Sequence, residues 1–267
     1  MIAYREVTAW AVDHPWPTRE QVEQDLLLSR AICAIAEDDY LGAELVFRGG
    51  TALHKLHLPQ ALRYSEDLDY VRSTASGISG VTGALLDLGR SLGFEVASRI
   101  SVHPKVFWRC AAQTGVPLRI KIEVNTHERS PVLPLITVGH EVTSPWWTGR
   151  SAVRTFDPAE LVATKIRALY QRSKGRDLFD LWLALTVLEL DPDRILAAFG
   201  PYRPVGLTAR MAIGNLERKT SDRTFRSDLD PLLRERPSAY DVDAAAQLVT
   251  DLLLARIGSV PPTSKGN

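Results

Sequence analysis

Two carboxylates spaced two residues apart, Asp67 and Asp69, carry the most chemical information in this 267-residue sequence. On a strand, positions i and i+2 project from one face. In Ser65-Glu66-Asp67-Leu68-Asp69-Tyr70-Val71 the two aspartates and Ser65 therefore share a side. Neighbouring carboxylates repel one another unless a cation lies between them, and hard oxygen ligands of this kind suit Mg²⁺ or Mn²⁺. Magnesium held by one or two carboxylates together with substrate phosphates is the usual arrangement for phosphoryl transfer. An exposed Asp-x-Asp in a turn is the alternative, and the apolar flank of Leu68, Tyr70 and Val71 favours a strand.

The segment upstream suggests what such a metal would accompany. Phe47-Arg48-Gly49-Gly50-Thr51 reads as a strand ending in Gly-Gly and opening a helix. Without a Cβ the backbone N–H groups can approach a ligand closely, and a helix start favours an anion, so phosphate is a natural guest of Gly49, Gly50 and Thr51. A tight turn is the plainer use of Gly-Gly. Arg48 and Arg63 supply cations nearby that could contact phosphate or form salt bridges. In Arg119-Ile120-Lys121-Ile122-Glu123-Val124-Asn125, alternation puts Glu123 opposite Ile120, Ile122 and Val124. Glu123 is either a third metal ligand or general base, or a solvent-facing carboxylate. Ser65, beside the aspartates, is either a small polar strand residue or a hydroxyl able to accept a phosphoryl or nucleotidyl group.

The elements that must position these residues follow from periodicity. Thr18 and Gln21 form a capping box for a long helix ending near Asp38. A short strand Leu45–Phe47 precedes a helix from Thr51 to about Leu58, stopped by Pro59. A second strand carries Leu68, Tyr70 and Val71. A helix spans Ser79 to Leu92 and ends at Gly93. Strands are expected over Phe94–Val102, Val106–Ala112 and Leu118–Val124. Past Arg150 the pattern becomes helical, with helices near 158–172, 176–189, 192–199, 207–218 and 241–257; Asp157 caps the first and Pro158 opens it. The expected fold class is α+β. A mixed-sheet N-terminal domain over 1–155 precedes a helical C-terminal domain over 156–258, and residues 259–267 form a frayed polar tail. Trp146-Trp147 lies in a Pro-rich connection, with inter-domain packing favoured over base stacking.

Composition narrows the class. A hydrophobic share of 45% and a charged share of 24% are those of a globular domain, and no apolar run reaches membrane-spanning length. The N-terminus shows no secretion signal. Cys33 and Cys110 stand alone among apolar neighbours, so structural thiols in a reducing cytoplasm are expected, with neither disulfide framework nor zinc site. Net charge is zero, but the stretch from Arg203 to Arg226 carries a local basic excess that suits either phosphate backbone or a solvated helix face.

Taken jointly these blocks resemble a known family. Gly49-Gly50-Thr51 followed by Asp67-x-Asp69 is similar to the nucleotidyltransferase-fold signature. The fuller strings Phe-Arg-Gly-Gly-Thr-Ala-Leu and Arg-Tyr-Ser-Glu-Asp-Leu-Asp resemble the AbiEii/AbiGii (MenT-like) toxins. So does Lys165 followed by Arg176-Asp177-Leu178-Phe179-Asp180-Leu181. The resemblance covers roughly residues 20–185, and from Leu190 onward no motif matches. It implies a nucleotidyltransferase fold, an NTP donor with a divalent metal, and an RNA acceptor such as a tRNA 3′ end. It further implies growth arrest as the outcome and a cognate antitoxin as partner. By the same resemblance Lys165 offsets phosphate charge, Asp177 belongs to the active site, and Arg172 and Arg176 bind the donor's phosphates or the RNA. Asp177 and Asp180 could instead only stabilise a helix start. The competing readings are transfer to a protein, transfer of a terminal phosphate, a small-molecule acceptor, and a nucleotide- or antitoxin-binding module without turnover.

Overall fold

The structure is a computed structural model that describes residues 2–75, 77–100 and 103–258. The end of the strand expected to reach Val102, and the tail 259–267, lie outside the described residues. The chain divides into two compact units, Met1–Phe156 and Asp157–Asn267.

Unit 1 opens with helices α1 (Tyr4–Trp10), α2 (Arg19–Glu37) and α3 (Asp39–Glu44). The α2 start is the expected capping box: the Thr18 hydroxyl accepts from the Gln21 amide, and the Gln21 side chain accepts from the Thr18 amide. A cap of this kind stabilises a helix by about 1 kcal/mol. Strand β1 (Leu45–Arg48) runs directly into a short helix, α4 (Gly49–Ala52), and a π-turn over Leu53–His57. This helix begins two residues earlier than its periodicity suggests, and it is not α-helical throughout. Next come β2 (Asp67–Arg72), α5 (Ser79–Ser91), β3 (Glu95–Arg99), β4 (Lys105–Ala111) and β5 (Pro117–Asn125).

Two strands absent from the sequence-based expectation follow, β6 (Ile136–Thr143) and β7 (Thr148–Thr155). Trp146-Trp147 accordingly sits in the β6–β7 turn, where the Ser144 hydroxyl accepts from the Trp147 amide and Arg30 lies over the Trp146 ring. The seven strands form one sheet in the order β3-β4-β5-β2-β1-β7-β6. The β2–β5 and β1–β7 pairs are parallel and the others antiparallel, so the sheet is mixed. Strands β1 and β2 are central, and β1 is buried along its whole length.

Unit 2 is helical. Helix α6 (Pro158–Gln171) begins with Pro158, and the Asp157 carboxylate accepts from the Ala159 amide. It is followed by α7 (Gly175–Thr186), α8 (Pro192–Phe199), α9 (Ala209–Thr220), α10 (Arg223–Ser227) and α11 (Val242–Leu252). Apolar stripes on α6 and α7 supply a core that includes Val162, Ile166, Leu178, Leu181 and Leu183, with Ile195 from α8 and Val249 from α11.

Candidate active site

Strand β2 alternates as its sequence requires. Leu68 and Tyr70 are buried, while Asp67 and Asp69 project together from the other face and are half-buried. Antiparallel pairing sets Arg48 of β1 opposite Asp69. Parallel pairing sets Lys121 and Glu123 of β5 opposite Asp67 and Asp69, and antiparallel pairing sets Lys105 of β4 opposite Glu123. One row across the sheet thus reads Arg48, Asp69, Glu123, Lys105, with Asp67 and Lys121 in the row beside it.

The ion pairs follow this register. Lys121 Nζ lies 2.8 Å from Asp67 Oδ2 and 3.6 Å from Glu123 Oε2, and Lys105 Nζ lies 3.4 Å from Glu123 Oε2. Arg48 Nη1 donates to Glu128 Oε2 at 2.6 Å, and its guanidinium stacks 5.5 Å from the centre of the Phe156 ring.

The Gly-Gly turn abuts this patch. Gly49 has φ +81°, and a Cβ there would meet Asp69 Oδ2 at 2.5 Å and Asp69 Cβ at 3.0 Å, so only glycine fits both the backbone and the space. Thr51 is buried, and its hydroxyl donates to the Asp67 carbonyl (2.5 Å). A hydroxyl has one hydrogen, so the 2.8 Å contact between Thr51 and Ser65 is Ser65 donating. The Thr51 side chain therefore clamps the helix start to β2, leaving its backbone as the part able to meet a ligand. Arg63 is buried and one guanidinium arm donates to the Tyr64 carbonyl (3.0 Å), which commits that arm to the loop.

The electrostatics suit a hard divalent cation. Burial and then the neighbouring Asp67 push the Asp69 carboxyl above its ordinary range, with Arg48 opposing them. A site that opposes ionisation of Asp69 gains from added positive charge, and the Lys121 ammonium already supplies some beside Asp67. Asp67 and Asp69 thus fit the two-carboxylate role. Glu123 lies next to Asp69, yet its carboxylate is turned to two lysines. Among the described residues no three His, Cys, Asp or Glu side chains are gathered so as to hold one metal ion.

Unit 2 has its own polar cluster. Lys165 is buried, with Nζ 2.8 Å from Asp180 Oδ2 and 3.3 Å from Asp177 Oδ1, and both aspartates are fully buried. Arg172 grips Asp177 with two parallel hydrogen bonds of 2.7 and 2.8 Å. Burial opposes ionisation of Asp177, but the Lys165 ammonium and the Arg172 fork outweigh it and hold the carboxyl below its usual range. The two aspartates therefore do more than favour a helix start. Arg176 is half-buried, and its backbone amide donates to Asp228.

Sequence reasoning missed Lys219, whose ammonium donates to the carbonyls of Leu169, Tyr170 and Arg172 and so closes the end of α6. The basic excess between Arg203 and Arg226 is also partly spent internally. Arg203 donates to the Leu207 carbonyl, Lys219 caps α6, and Arg226 forms a bidentate pair with Asp243.

A family profile described as nucleotidyl transferase AbiEii toxin, type IV toxin–antitoxin system, matches residues 30–248, most of the chain. The chain belongs to the AbiEii nucleotidyltransferase toxin family. It is thereby a nucleotidyltransferase, and AbiEii membership implies an antitoxin as partner. Among solved structures, the MenT4 nucleotidyltransferase toxin of Mycobacterium tuberculosis aligns with a TM-score of 0.64 at 19% identity. That alignment covers 97% of this chain and 91% of that one. The likeness shows that the α+β fold expected from the sequence is shared with a nucleotidyltransferase toxin. An antigenic nucleotidyltransferase-like protein of Paracoccidioides brasiliensis aligns with a TM-score of 0.41 at 17% identity, over 82% of this chain and 96% of that one. No curated protein sequence matches significantly. Among the described residues, no helix of this AbiEii toxin is long and apolar enough to cross a membrane.

Proposed function

We propose that this toxin transfers a nucleoside monophosphate from an NTP to the 3′ end of an RNA, with tRNA as the acceptor, and so arrests growth in the cytoplasm. The observation that supports this most is the pair Asp67 and Asp69 on one face of a central strand, with Gly49 pressed against Asp69. In this reading the pair holds Mg²⁺, or Mn²⁺ in its place. When bound, the metal supplies Lewis acidity and charge neutralisation for the donor's phosphates.

The protein's own groups do the rest. Backbone amides of the Gly49-Gly50-Thr51 turn receive phosphate oxygens, with Thr51 fixing the turn to β2. Arg48, steadied by Glu128, balances the charge of Asp69. Asp69 accepts the proton of the attacking hydroxyl, and Glu123 does so only by parting from its lysines. As the acceptor oxygen bonds to the α-phosphorus, the bond to the β-phosphate oxygen breaks and pyrophosphate leaves. Lys165 and Arg172, aligned by Asp177, offset phosphate charge, while Arg176, Arg63 and Ser65 stand by for secondary contacts with the donor. We assign the carboxylate pair and the nucleotide turn to the N-terminal unit, and a contribution to the active site together with acceptor binding to the helical one.

Incubation with Mg²⁺, each α-³²P-labelled NTP in turn and total bacterial RNA tests the proposal, with Asp69→Ala as control. Label in tRNA-sized RNA, lost in the variant, is expected. Label on protein alone would replace the acceptor, and label left in a nucleoside diphosphate with no pyrophosphate released would replace the reaction with terminal-phosphate transfer.

A further inference from the structure

A lysine already lies where cationic charge would be needed. Lys121 and Asp67 are register partners on parallel strands, and Lys121 Nζ sits 2.8 Å from one carboxylate oxygen while reaching toward Glu123 at 3.6 Å. The stem of Lys121 rises from β5 next to Phe107 of β4, its register partner on the other side, and the side chains of Lys121 and Asp67 are 24% and 37% exposed. This is a partly screened pair and not a sealed one, so it can open. Two cations cannot occupy the same oxygen of Asp67 without repelling each other across a few ångströms.

We propose that Lys121 is a built-in counter-cation for the carboxylate patch. It balances Asp67 and Glu123 when no divalent ion is present, and it must give up Asp67 for the ion to bind. Lys121 is thus a positioning residue that sets how tightly the site loads its metal. Lys105, which touches Glu123 but is one strand further from Asp67, has a much smaller share in this. The inference rests on the reading of Asp67 and Asp69 as the metal-holding pair.

Two consequences have opposite signs, which separates them from simple damage. Lys121→Met keeps the stem and removes the charge. The metal-free protein should then melt at a lower temperature, because Asp67 and Glu123 lose a shared cation. Its affinity for Mn²⁺ should rise by about tenfold, because the competitor is gone. Added Mn²⁺ should accordingly raise the melting temperature of the variant more than that of the wild type.

The measurement is the free-Mn²⁺ signal in electron paramagnetic resonance titrations of metal-free protein, with melting curves on the same samples. The variants are Lys121→Met, Lys105→Met and Asp67→Asn/Asp69→Asn together. Tighter Mn²⁺ binding in Lys121→Met, with Lys105→Met near wild type, is the expected result. Equal or weaker binding in a folded Lys121→Met protein overturns the inference, provided the double asparagine variant has lost binding. If the double variant binds Mn²⁺ as the wild type does, it is the reading of the carboxylate pair that fails.

Discussion

Replacing Gly49 by alanine asks whether the Gly-Gly turn is shaped for Asp69 or is only a loop. Two independent costs arise at this position. The residue has φ +81°, and holding an L-residue in that region costs about 1–2 kcal/mol. The new Cβ would also meet Asp69 Oδ2 at 2.5 Å and Asp69 Cβ at 3.0 Å. Rotation can move the carboxylate oxygen, but not the Cβ, because the adjacent Arg48–Asp69 pairing pins that backbone in the sheet. Overpacking of this kind adds about 1–2 kcal/mol, for a total near 3 kcal/mol. Urea unfolding should register that loss. Nucleotide transfer should fall about 100-fold, since a displacement near 1 Å at a reacting site costs that much. A double-mutant cycle with Asp69→Gly, which removes the Cβ as well as the carboxylate, isolates the contact: in that background Gly49→Ala should lose only the backbone cost, leaving a coupling of about 1–2 kcal/mol. Strictly additive effects, or a Gly49→Ala enzyme with wild-type transfer, would refute the idea that the glycine exists to admit Asp69.

Further outcomes follow from groups away from the carboxylate patch. Lys55 lies 2.7 Å from Asp25, which also accepts from Trp10 Nε1 at 2.9 Å, and both members of the ion pair are buried. Asp25→Asn or Lys55→Met alone should cost about 3–5 kcal/mol in urea unfolding, whereas the paired change Asp25→Leu/Lys55→Met should recover most of it. Burial, then Lys55, lowers the His140 pKa from 6.5 to about 4, so the fold holds this ring neutral. Its contribution is complete above pH 6.5, where the unfolded ring is neutral too, and is lost as pH falls toward 4, by about 3 kcal/mol in all. His140→Phe should flatten that part of the stability–pH curve, and an unchanged slope would contradict the burial of a neutral ring. Gly83, in the middle of α5, has nothing within 4 Å of an added Cβ, so Gly83→Ala should raise stability by up to about 1 kcal/mol without changing transfer.

What the sequence discloses here depends on how locally each feature is encoded. The α2 cap, the α6 start at Pro158 and the alternation of β2 and β5 are short-range patterns, and they are legible because one segment fixes them. Strands β6 and β7 escape notice because β7 turns Ser151, Val153 and Thr155 inward, a face too polar to read as a core strand, while β6 is an edge strand with half its residues exposed. Helix α3 hides for another reason: Gly42 sits inside it, where its lack of a Cβ lets the turn approach the Ala36 carbonyl. The site shows the same division. That Asp67 and Asp69 share a face follows from their spacing alone. That Glu123 stands beside Asp69, and Lys121 beside Asp67, follows from a β2–β5 register between segments about fifty residues apart in sequence. Lys121 and Glu123 each have the sequence appearance of a solvent-facing residue on an alternating strand. A register slip of one residue would send both to the opposite face and leave the aspartates without either neighbour. The cross-strand partner decides whether a carboxylate in this patch meets a lysine or is left for a metal, and that choice is made by sheet pairing, not by the motif that first draws attention to the site.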